Sequence, residues 1–104
     1  MPLFVAQHTH APENCPAADP QMGNMLLGHL SPANAASQGI NIQAEAVIDN
    51  AHTLYMILEA PDRERVMEFM APFAQAGTVE VHGASPCEAV VGRGGCSAIL
   101  QSAG

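Results

Sequence analysis

His8, His10 and Cys15 stand within eight residues of one another in Gln7-His8-Thr9-His10-Ala11-Pro12-Glu13-Asn14-Cys15-Pro16, a concentration of metal-ligating and proton-handling side chains unmatched elsewhere in the chain. The preceding Pro2-Leu3-Phe4-Val5-Ala6 reads as a buried strand that Pro12 terminates. On a strand running to His10, side chains two apart share a face, so both imidazoles point the same way about 7 Å apart at Cα. Such a pair can share a metal ion or a proton. Cys15 adds a thiol donor before Pro16 at the entrance of a helix, where exposed amide protons favour the thiolate. Paired with His8 or His10, that thiol suits covalent catalysis or sulfur transfer.

The elements that position these residues follow from periodicity. After the strand over 2–10, Ala17 to Leu30 carries Met22, Met25, Leu26 and Leu30 at helical spacing, with Pro20 in its first turn. Ser31-Pro32 opens a short Ala-rich turn that Gly39 stops. From Ile40 to Ala60 the period is two. Ile40, Ile42, Ala44, Ala46 and Ile48 alternate with polar neighbours, and Thr53 to Glu59 returns after a turn containing Asp49-Asn50 and His52, predicting a β-hairpin. Asp62 caps a helix with Val66, Met67, Phe69, Met70 and Phe73 on its buried side, kinked at Pro72 and ended by Gly77. Thr78 to Gly83 reads as a strand and Cys87 to Gly92 as a further extended piece. Residues 93–104 form a loosely ordered Gly-rich tail to a single domain over 1–92.

This order, β-α-β-β-α-β, is the ferredoxin-like split βαβ pattern of an α+β fold with an antiparallel sheet. Over residues 2–92 the chain resembles the dimeric α/β-barrel superfamily in element order. That resemblance implies a homodimer whose two sheets enclose a shared cavity for a small-molecule ligand. The superfamily includes monooxygenases, isomerases, haem-handling proteins and plain ligand binders, so the fold does not choose the chemistry.

Composition narrows the partners. Ten carboxylates face three arginines and no lysine, a net charge of −7, which excludes a phosphate-backbone partner and argues against nucleic acid or an anionic membrane surface. No apolar run reaches the roughly 18 residues of a membrane span, and no basic segment precedes an apolar one at the start. The expected compartment is the cytoplasm, where Cys15, Cys87 and Cys96 are thiols rather than bridges. Cys87 is read as a small core filler and Cys96 as an exposed end. Apolar residues are 48% of the chain and aromatics 4%, so the core is built from aliphatic side chains and methionine.

With the first and third strands taken as parallel neighbours, the end of strand one lies beside Glu80 and His82, with Glu59 close by. His8, His10 and His82 are then the expected ligands of a divalent transition metal (zinc, iron or copper), and Cys15, Glu80 and Glu59 the residues that handle protons or bond covalently. His29 and His52 read as solvent or packing residues. Two alternatives accompany the metal-binding reading: a metal-free ligand-binding barrel, and a thiol enzyme or sulfur carrier using Cys15.

Overall fold

A computed structural model describes residues 1–97. Strand β1 (Leu3–His10) buries alternate residues Phe4, Ala6 and His8 on one face, the period of two its sequence demands. Two single-turn 3-10 helices, Pro12–Asn14 and Pro16–Ala18, carry the chain to α1 (Pro20–His29), whose N-cap Asp19 accepts a hydrogen bond from the Gln21 amide. Helix α2 (Pro32–Ser37) is capped by Ser31 and stopped at Gly39, whose φ of 77° is the left-handed conformation that glycine tolerates. A hairpin follows, β2 (Asn41–Ile48) and β3 (Thr53–Glu59). Helix α3 (Arg63–Phe69) starts at an Asp62 cap, and Pro72, lacking an amide hydrogen, restarts the chain as α4 (Ala71–Ala76). Strand β4 (Gly77–Ala84) and α5 (Cys87–Gly92) are the last elements among the described residues.

The fold is α+β, with five α-helices and one open four-stranded sheet among the described residues, in the order β2-β3-β1-β4 with every pairing antiparallel. Helices α3 and α4 cover one face, where Val66, Phe69, Met70 and Phe73 pack on Phe4, Ala6, Leu54, Met56, Leu58 and Val81. At the start of β4 a Cβ on Gly77 would stand 2.0 Å from the Thr9 carbonyl oxygen, so only glycine lets β4 close on β1 there.

Three expectations are corrected. Strand β1 is antiparallel to β3, with Leu3 opposite Glu59 and Thr9 opposite Thr53. The helical crossover makes β1 parallel to β2, and the hairpin then reverses the chain once. Second, the register of β2 shifts between Ile42 and Ala44. Ile42 therefore stands opposite buried Leu58, whereas Glu45 and Val47, not Ala44 and Ala46, oppose buried Met56 and Leu54. A one-residue bulge exchanges the two faces of every later residue. Third, Cys87 to Gly92 is helical rather than extended. Pro86 stands at its N-cap, where a missing amide hydrogen costs nothing, and Glu88 favours the first turn. Cys87 is exposed there, not a core filler. Of the expected tail, Arg93 ties its own turn together through Ser85, Gly95 and Cys96, and residues 98–104 lie outside the described residues.

Candidate metal centre

Antiparallel pairing decides which residues meet His8 and His10. The end of β1 lies against the beginnings of β3 and β4, with His10 opposite Gly77 and its backbone amide donating to the His52 carbonyl at 3.2 Å. His52 closes the β2–β3 turn with φ 50°, and Asn50 in the same turn has φ 64°. Left-handed backbone is uncommon for residues other than glycine, at a cost of about 1–2 kcal/mol. Here it brings the His52 ring to 5.1 Å from that of His10.

The result is a chain of three imidazoles. His8 Nδ1 lies 3.1 Å from the Thr78 carbonyl oxygen, His10 Nδ1 3.1 Å from His8 Nε2, and His52 Nδ1 3.3 Å from His10 Nε2. The carbonyl can only accept, so the His8 proton sits on Nδ1. The neutral ring then has a bare Nε2 that accepts from His10 Nδ1–H, and the same step repeats from His10 to His52. One backbone oxygen thus sets the tautomer of all three rings.

His8 is 2% exposed and is the buried polar side chain of the described core, packed edge-on against Phe73 at 5.1 Å. Burial holds its pKa below 6.5; the Thr78 carbonyl bond opposes that shift, and the neighbouring His10 adds to it. His10 is also held below 6.5, by burial first and by His52 second.

Cys15 reaches the same point from the loop after β1. The ligating atoms of His10, Cys15 and His52 all lie within 4.8 Å of one another, close enough for one metal ion. Two nitrogens each about 2.0–2.1 Å from a tetrahedral zinc stand ~3.3 Å apart. His10 Nε2 and His52 Nδ1 already have that separation, 3.3 Å. Cys15 N-caps a 3-10 helix of only three residues, whereas the ten-residue helix begins five residues later at Pro20.

The other expected residues are elsewhere. Glu80 and His82 pair with Gln7 and Val5 on the sheet face opposite to His8, exposed and 3.3 Å from each other. Glu59 is at the far end of the sheet, opposite Leu3, accepting from Asn41 Nδ2 at 2.8 Å. The convergence of His82 with the N-terminal pair is therefore corrected: Val79 and Val81 take the helix-covered face, and alternation sends Glu80 and His82 away from it. His29 is occupied structurally. Its Nε2–H donates to the Phe69 carbonyl at 2.7 Å, and its ring stacks on that of Phe69. His52 is the residue the sequence reading missed; antiparallel pairing of β1 with β3 would have found it, because that pairing puts the start of β3 beside the end of β1.

A cavity of about 340 Å3 opens beside the three donors, with Leu26, Leu27 and Leu30 from one side and Val47, Leu54 and Phe73 from the other. Among the described residues no helix is long and apolar enough to cross a membrane. No protein-family model, curated protein or solved structure matched this chain when it was compared with them.

Proposed function

We propose that this chain binds a divalent transition metal through His10 Nε2, Cys15 Sγ and His52 Nδ1, with a fourth coordination position open to the adjoining cavity. The observation that carries the proposal is the convergence of three donors backed by an ordered second layer: His8 holds His10 Nδ1–H, and Thr78 holds His8. Metal-bound histidines are oriented by partners of this kind at their other nitrogen. Two imidazoles and a thiolate suit zinc or copper better than iron. Binding moves the proton of the neutral His52 ring from Nδ1 to Nε2 and releases the thiol proton of Cys15 to solvent, so affinity rises with pH.

Three protein ligands and an open position are the arrangement of a catalytic rather than a structural zinc site. A metal held there would polarise a small substrate or activate water. Elemental analysis of protein prepared without chelator tests the proposal: one equivalent of zinc or copper per chain is expected. A metal-free protein that also takes up no zinc in titration would leave the alternative of a metal-free ligand-binding domain, supported by the same cavity.

The ferredoxin-like reading is supported by the antiparallel order β2-β3-β1-β4. The sheet face away from the helices carries Val5, Ala44, Ala46, Tyr55 and Ile57, with Tyr55 39% and Ile57 41% exposed. A second copy would cover the apolar part of this face, beside Gln7, Glu80 and His82, and make a homodimer. Light scattering is expected to give twice the chain mass for the native protein and the single mass for Ile57→Glu; a native monomer would reject the dimer.

A further inference from the structure

We infer that the cavity beside His10, Cys15 and His52 takes a small neutral molecule with an apolar body and a single nitrogen or oxygen donor, the donor completing the metal's coordination. This rests on the metal-binding reading above and names the class of ligand that the same site selects.

The wall chemistry carries the inference. All three candidate ligands line this cavity, together with the apolar side chains of α1, β2, β3 and α4. Its volume, about 340 Å3, lies at the small end of ligand pockets. The charged side chains on its wall are the carboxylates Glu45 and Asp49. The arginines are engaged elsewhere: Arg63 with the Val81 carbonyl, Arg65 with Gln38 and Glu68, Arg93 within its own turn. With a divalent ion in place, its charge is outweighed by the Cys15 thiolate and the two wall carboxylates together, so an anionic head group meets a net negative site, and a cationic one has no free electron pair for the metal. A neutral donor meets neither penalty.

Helix α1 adds an independent observation. It carries Met22, Met25, Leu26 and Leu27 yet buries no residue, and Leu27 is 68% exposed while lining the cavity. Behind it a second apolar cavity of about 450 Å3 shares His8, Pro16, Leu26 and Phe73 with the first. The helix therefore stands off the sheet, held chiefly by Leu26, Leu30 and the His29–Phe69 contact, over space that an apolar body would fill.

The test uses the full chain loaded with cobalt(II), whose visible ligand-field bands report binding by imidazole and thiolate. Imidazole and phenylimidazole present the same donor with and without an apolar body. Phenylimidazole is expected to shift the cobalt bands at least tenfold more tightly than imidazole and more tightly than phenylacetate. Leu27→Ser, which removes the apolar wall at an exposed position without adding a carboxylate ligand, is expected to remove that preference with the cobalt spectrum unchanged. Equal affinities for the two imidazoles, or tighter binding of phenylacetate, on a protein with normal cobalt bands would overturn the inference and leave the metal site standing. Absence of the bands themselves would overturn the metal reading and this inference with it.

Discussion

Cys15→Ala and His52→Ala are each expected to weaken metal binding by at least ~100-fold, since loss of a direct ligand exceeds the 10–100-fold typical of its supporting partners. The expectation follows from geometry. His10, Cys15 and His52 reach one point from three segments, the end of β1, the loop after it and the turn before β3. Removing either variant's side chain leaves two donors, too few to hold a zinc or copper ion against water. Neither residue is buried, so the fold should survive both substitutions. His82→Ala is the informative control. Its ring lies on the opposite sheet face, paired with Glu80, and its loss should change affinity by less than about twofold. Competition titration against a chromophoric chelator measures all three. Wild-type affinity in His52→Ala, or a large loss in His82→Ala, would put the metal elsewhere.

His8→Leu should act on stability, on metal affinity and on the pH profile together. Leucine fills the apolar space against Phe73 but leaves the Thr78 carbonyl and His10 Nδ1 without their partner. Thr78 is exposed and His10 half-buried, so water can reach the two freed groups, and urea unfolding at neutral pH should show only the loss of ordinary hydrogen bonds, about 1 kcal/mol. Metal affinity should fall 10–100-fold although His8 does not touch the ion, because the His10 ring is no longer held in one tautomer and orientation.

The pH dependence of the metal-free protein follows from the sign of the shift. The folded-state pKa of His8 lies below 6.5, so below that pH the unfolded chain takes up a proton that the folded chain refuses. The stability associated with neutral, buried His8 is fully present above pH 6.5 and is lost as pH falls from there toward the folded value. Wild-type stability should therefore decline with acidification through this window, and His8→Leu should decline less steeply. His10, shifted in the same direction, keeps part of the slope. An unchanged slope in His8→Leu would show that His8 is not the titrating group.

Local chemistry was legible without coordinates. Ser31 and Asp62 cap helices because a short oxygen-bearing side chain can satisfy free amides, and Gly39 ends α2 because the chain turns left-handed there. The hairpin over 40–60 follows from alternation and its turn residues, and the strand bearing His8 and His10 from the apolar run before them and the Pro12 that stops it. The pairing of those two imidazoles on one face follows from the strand's period of two, seen directly in their 3.1 Å contact. Cys15 was close to them because it is close in sequence.

Everything that depended on contacts between distant segments was decided by the tertiary structure. Strand direction replaced Glu59 with His52 at the end of β1, since antiparallel pairing exchanges one end of β3 for the other. The bulge near Gln43 changed which face of β2 meets the cavity, a single-residue shift invisible to a period-two count. His82 kept its expected neighbour Glu80 but lost the site, because Val79 and Val81 claimed the covered face of β4. Periodicity describes how a segment divides into faces. Which faces meet is determined by burial summed over the whole chain, and only the folded arrangement contains that sum.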